Sequence, residues 1–153
     1  MNSFFSNKFF LKKEKTLQNK LLKDGYIIFN INEKKRLKSI KNETKKLTLK
    51  WLKKNIIKDI KKNISLEHIH KLVPVSKLNN LRLYIFENLN KSKLFHENYF
   101  FIGKEFLDIL CGNELVMQKK INLSIQLVND DSSLLPIHSD VYQGDSPYEL
   151  VLW

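Results

Sequence analysis

The chain has 153 residues, 27 Lys+Arg against 16 Asp+Glu, and a net charge of +11. That length is the size of one domain, and 42% hydrophobic residues, ten Phe among them, supply a core and exclude an intrinsically disordered chain. Cys111 stands alone, which excludes a disulfide framework, and no run approaches the ~18 apolar residues of a membrane-spanning helix.

The first residues, MNSFFSNKFFLKKEK, lack the continuous apolar stretch and the small-residue cleavage site of a secretory signal. The expected setting is soluble, reducing and cytoplasmic. Residues 8–23 carry Phe9, Phe10, Leu17, Leu21 and Leu22 on loosely helical spacing, and Asp24-Gly25 breaks this first helix. Tyr26–Ile31 predicts a short apolar strand. Asn32 then caps a long helix, in which Leu37, Ile40, Thr44, Leu47 and Trp51 recur at spacings of 3 and 4, continued by Leu52, Ile56 and Ile60.

The charge is concentrated in that helix. Residues 33–62 hold 13 basic and 3 acidic groups, a net of +10, whereas residues 104–153 hold 3 Lys and 8 acids, a net of −5. Of the 27 basic residues only Arg36 and Arg82 are Arg. Readers of bases and phosphates lean on the planar Arg fork. An array of twelve Lys with a single Arg reads first as the solvated face of an amphipathic helix. It has two rivals, a nucleic-acid patch and a membrane-surface helix.

Further along, Ser65 is placed to cap a short helix ending before Pro74. Ser76 is placed to cap another, with Leu78, Leu81, Ile85 and Leu89 on one face. Aromatics crowd residues 95–101. A last helix is expected over 103–111, stopped by Gly112-Asn113. Beyond Gly112 the period changes. Val116–Val128 alternates Asn122, Ser124 and Gln126 against Leu123, Ile125 and Leu127, which predicts a strand with one polar face. After the loop 129–133 come Pro136–Val141, a turn at Gly144–Pro147, and a strong apolar strand over Tyr148–Trp153. The fold class expected is α+β. Residues 1–111 form a mainly helical region with one strand near 26–31, and strands begin only in residues 112–153.

Four groups invite a chemical reading. His68-Ile69-His70 lies in a helical stretch, where residues two apart do not face each other, so the pair reads as ordinary histidines. His96 has no partner at ligand spacing, and Cys111 reads as a small hydrophobe. His138-Ser139-Asp140 differs. On extended backbone, residues i and i+2 share a face, so an imidazole and a carboxylate converge on one point. One further His would complete the facial triad of non-heme Fe(II) oxygenases.

Those residues also carry a resemblance. Gly112–Leu115, Gln118, Asn122–Leu127, Pro136–Val141 and Gly144–Trp153 resemble the Fe(II)/2-oxoglutarate oxygenases of the phytanoyl-CoA dioxygenase-like superfamily, and most closely its sporadic carbohydrate cluster branch. The resemblance implies a helical N-terminal region leading into an incomplete double-stranded β-helix, or jelly roll. It implies His138 and Asp140 as iron ligands and Gln126 as a contact to the cosubstrate 2-oxoglutarate. It implies a hydroxylase-type reaction, with succinate and CO₂ as co-products, on a small molecule such as a sugar or nucleotide sugar in surface carbohydrate biosynthesis. The family's second His ligand and the basic residue for the 2-oxoglutarate carboxylate lie well downstream of His-x-Asp, and neither has a counterpart here. The expectation is therefore an N-terminal part of a longer oxygenase, inactive by itself. The alternatives are a basic helical module for nucleic acid or anionic surfaces, and a shortened, inactive oxygenase relative.

Overall fold

The computed structural model describes residues 11–57, 64–112, 114–126, 136–146 and 149–153. Helix α1 spans Lys12–Asp24, α2 Lys34–Asn55, α3 Val75–Leu89 and α4 Lys93–Cys111. Short 3-10 helices lie at Leu66–Lys71, between α2 and α3, and at Asp140–Gln143. Helix α2 packs on α3 and α4, and α1 packs on α4.

Each boundary has a local cause. Before α1, the Leu11 N–H donates to the Glu14 carboxylate at 2.6 Å, and the helix ends where Gly25 turns left-handed at φ +75°, a conformation that costs other residues. The expected cap of α2, Asn32, is one residue too early. The capping position is Glu33, and the Asn32 amide instead donates to Glu105 on α4 at 2.9 Å. Pro74 stands at the capping position of α3, where its fixed φ and missing N–H do no harm, so Ser76 falls inside the helix rather than before it. The aromatic run 95–101 belongs to α4. Ser92 starts that helix by accepting from the Phe95 N–H at 3.2 Å, and Gly112 at φ +86° ends it.

The core is one cluster built from α2, α3, α4 and the segments at 64–73 and 117–125. Trp51 and Leu52 of α2, Leu81, Ile85 and Leu89 of α3, and Phe95 of α4 meet Ile64, Ile69 and Val73 from the α2–α3 connection and Ile121 from the region after α4. The α2 stripe is inward as its spacing predicts for Ile40, Leu47, Trp51 and Leu52, whereas Leu37 is exposed. The continuation of that stripe at Ile60 lies outside the described residues. A polar seam joins α2 to α4. Asn98 is buried, its amide donating to Ser39 Oγ and its carbonyl accepting from Arg36, both at 3.1 Å, and the Arg36 guanidinium lies 4.5 Å from the Phe101 ring centroid. One of the two arginines is thereby committed to holding helices together.

The α+β architecture and its jelly-roll continuation are corrected by this structure: no strand or sheet occurs among the described residues. Tyr26–Ile31 is a connection without a ladder partner, and its Phe29 stacks on Phe106 of α4 at a centroid distance of 3.7 Å. Residues 121–126 keep the predicted alternation, with Ile121, Leu123 and Ile125 turned to the core and Asn122, Ser124 and Gln126 exposed. What they lack is a neighbouring strand. A strand is defined by its ladder as much as by its side-chain period, and here helical side chains take the ladder's place. The Asn90 amide donates to the Ile121 carbonyl at 3.0 Å and its oxygen accepts from the Ile121 N–H at 2.8 Å. The expected final strand is likewise absent over 149–153, Tyr148 lying outside the described residues.

Candidate metal centre

His138 and Asp140 come together as the extended spacing predicts. Ser139 between them is extended, at φ −119° and ψ 128°, so its neighbours project to one side. Asp140 opens the 3-10 turn Asp140–Gln143, which Gly144 closes in the left-handed region at φ +99°. The Asp145 N–H donates back to the Asp140 carbonyl at 3.2 Å. The outcome is a His138 Nε2 to Asp140 Oδ1 distance of 3.3 Å. Two ligands at right angles around a metal, each at about 2.1 Å, stand about 3 Å apart, so the spacing suits adjacent positions on one ion.

The other ring nitrogen defines the chemistry further. His138 Nδ1 lies 2.6 Å from the Pro136 carbonyl oxygen, which can only accept, so Nδ1 carries the proton. In the neutral ring Nε2 then presents a lone pair towards a carboxylate oxygen. The contact is an ion pair when the ring is protonated, and the same two atoms are the ones a metal ion would bridge. A backbone carbonyl that fixes the tautomer is also the usual outer partner of a metal-bound histidine.

Other expectations fare less well. The pair is open to solvent, with His138 and Asp140 side chains 38% and 57% exposed. Gln126 is exposed, and no described contact joins it to the pair. No third His, Cys, Asp or Glu joins them among the described residues. His96 is not a substitute, because its two ring nitrogens face the carbonyl oxygens of Ser92, at 2.9 Å, and Lys119, at 3.0 Å. The rings of His68 and His70 do approach, with centroids 6.0 Å apart, because the 3-10 helix is kinked at His68, but they meet at 76° and no third ligand joins them. Cys111 is exposed at the end of α4, and partial burial pushes its thiol up, away from a reactive thiolate.

A shallow cavity of about 270 Å³ opens elsewhere, between Lys41 and Lys45 of α2 and Ile64–Glu67. It contains none of the groups just described. Lys41 Nζ donates to Glu67 at 2.7 Å and the Ser65 hydroxyl donates to the same carboxylate, and together they lower the Glu67 pKa from 4.5 to about 2. A carboxyl whose folded pKa is depressed stabilises the fold above its unfolded pKa and loses that contribution as pH falls through the folded value. The stability gap between the protein and Glu67→Gln, followed by urea unfolding, is therefore expected to be constant near neutrality and to close between pH 4.5 and about 2. A gap that stays constant through that window would remove the role assigned to Lys41.

Sequence reasoning missed Asn90, Tyr99 and the Pro136 carbonyl. Burial raises the Tyr99 pKa, so its phenol stays protonated and donates to the Leu152 carbonyl at 2.7 Å. Asn90 and Tyr99 carry no local signal, since their partners lie 31 and 53 residues away, and the Pro136 carbonyl is a backbone atom that no residue pattern marks. Comparison with protein families, curated proteins and solved structures finds no match to this chain. No helix among the described residues is long and apolar enough to cross a membrane.

Proposed function

We propose that this chain contributes two ligands, His138 and Asp140, to the Fe(II) site of a 2-oxoglutarate-dependent oxygenase of hydroxylase type. The observation that carries the reading is the convergence of two ligand types, with His138 Nε2 3.3 Å from Asp140 Oδ1 and Nδ1 facing the Pro136 carbonyl. One His and one carboxylate are the ligand types of the facial triad. The third ligand and a basic partner for the cosubstrate carboxylate have to come from outside the described residues. When bound, the iron supplies oxidation of a C–H bond coupled to decarboxylation of 2-oxoglutarate. This chain's own part is to hold the two ligands on one side, with His138 in the tautomer that leaves Nε2 free. Gln126 is the proposed cosubstrate contact. The substrate class is a small molecule, a sugar or nucleotide sugar, and the setting is cytoplasmic.

The test uses the 153-residue chain. Mn(II), a redox-silent stand-in for Fe(II), is expected to broaden the His138 and Asp140 resonances first, with weak affinity. Iron-dependent release of succinate is expected to be absent. Robust turnover by these residues alone, or Mn(II) broadening centred elsewhere, would overturn the reading.

A second reading rests on α2. Lys35, Lys38, Lys46, Lys50 and Lys53 line its solvent face with Asn42, at spacings of 3 and 4, and none forms an ion pair among the described residues. Like charges at such spacing repel by a few tenths of a kcal/mol per pair, which a polyanion would relieve. Because Arg36 is engaged in the α2–α4 seam, this face offers point charges and no bidentate fork. Submicromolar binding to duplex DNA at physiological salt, lost when these Lys are neutralised, would favour it over the oxygenase reading.

A further inference from the structure

The solvent face of α2 carries charge and little else. Lys35, Lys38, Asn42, Lys46, Lys50 and Lys53 are exposed, and the helical rotation places them within about 60° of one line down the helix. From Lys35 to Lys53 that line runs about 27 Å. Glu43, the one acid within α2, is half-buried at the edge of the stripe. The apolar side of the same helix belongs to the core. Ile40 and Leu47 pack on it, and Trp51 and Leu52 are 6% and 0% exposed. Leu37, the exposed large hydrophobic of α2, sits about 160° round the helix from Lys35. Both arginines are occupied elsewhere. Arg36 holds the α2–α4 seam, and Arg82 on α3 donates to Asn79 Oδ1 at 3.2 and 2.9 Å.

This composition narrows the kind of polyanion the stripe fits. A helix that binds a bilayer surface sinks an apolar face into it, and that face of α2 is already packed in protein. Grooves for single strands stack bases on exposed aromatics, and Trp51, the one aromatic of α2, is buried. Base edges are read by side chains that bond bidentately, and Asn42 is the single such group in the stripe. Ammonium groups meet phosphates as point charges. We infer that the 35–53 stripe of α2 binds double-stranded nucleic acid through its phosphates, with at most five lysine contacts and little regard to base sequence. The inference rests on the second reading above and gives it a binding mode. Five neutralised phosphates set a slope of log K against log[salt] no steeper than about −4.5, or up to about 500-fold in affinity between 50 and 200 mM salt.

The test titrates the 153-residue chain into fluorescently labelled DNA and follows anisotropy across that salt range. Two short duplexes of unrelated sequence are expected to bind within about tenfold of each other, the scale of one base contact. Lys46→Gln, Lys50→Gln and Lys53→Gln together should make the slope shallower by about 2.7, with the helical circular dichroism of the parent retained. Lys46→Arg, Lys50→Arg and Lys53→Arg together should leave the slope unchanged, because the charge is kept. A single strand of the same length and phosphatidylserine vesicles should both bind more weakly than the duplexes at equal salt. A larger sequence preference, or a single strand or vesicle bound as tightly as the duplexes, would overturn this mode and leave polyanion binding by α2 standing. No duplex binding at the lowest salt, or a slope untouched by the three Lys→Gln changes, would overturn the second reading and this inference with it.

Discussion

Replacing His138 with alanine is expected to reduce Mn(II) binding at this site to below detection, with the helical fold intact. Nε2 of His138 is the only imidazole nitrogen facing the Asp140 carboxylate among the described residues, and Asp140 alone would hold a divalent ion no better than other exposed acids. No other histidine is placed to substitute. His96 spends both ring nitrogens on backbone carbonyls, and His68 and His70 lie on the α2–α3 connection with no third ligand. Asp140→Asn should weaken binding nearly as much, since it removes the anionic oxygen and keeps the shape. His68→Ala and His70→Ala should change nothing. The exposed position of His138 means that its loss costs little stability, so a null result cannot be blamed on unfolding. Binding that survives His138→Ala would mean that the ion sits elsewhere, and the oxygenase reading would lose its support.

Substituting alanine for Leu81 is expected to destabilise the fold by about 2–5 kcal/mol, a large share of the roughly 5–15 kcal/mol that holds a domain of this size. Leu81 is 0% exposed, as is Leu52, and both belong to the single cluster that joins α2, α3 and α4. The cavity left behind cannot collapse easily, because its walls come from several elements. Urea unfolding followed by circular dichroism should show a lower midpoint with an unchanged slope. Lys50→Ala, on the solvent face of α2, should fall within about 0.5 kcal/mol of the parent. A loss below about 1 kcal/mol for Leu81→Ala would show that the cluster is not the seat of stability.

The helical layer was largely legible because its signals are local. The 3.6-residue stripes of α2 and α3, the Asp24-Gly25 break and the Gly112 stop act within one or two turns of chain, and the structure uses each of them. Errors came where two local signals competed. Ser76 lost the start of α3 to Pro74, whose backbone geometry outranks a hydroxyl. The aromatic run 95–101 hid a helix, because aromatic density reads as strand or core while Ser92 is a quieter signal.

The region after Gly112 shows a different division. Its period-2 alternation is a property of the backbone and appears intact over residues 121–126. Whether such a stretch enters a sheet depends on a partner with free N–H and carbonyl groups at the right distance, and no local pattern states that. Here the partners of Ile121 and Leu152 are Asn90 and Tyr99, 31 and 53 residues away in sequence. The convergence of His138 and Asp140 follows from their spacing of two on extended chain and was open to inference from the residues alone. The helix ridge against which the flanking segments lie was decided by the folded chain, because packing surfaces are matters of distance in space.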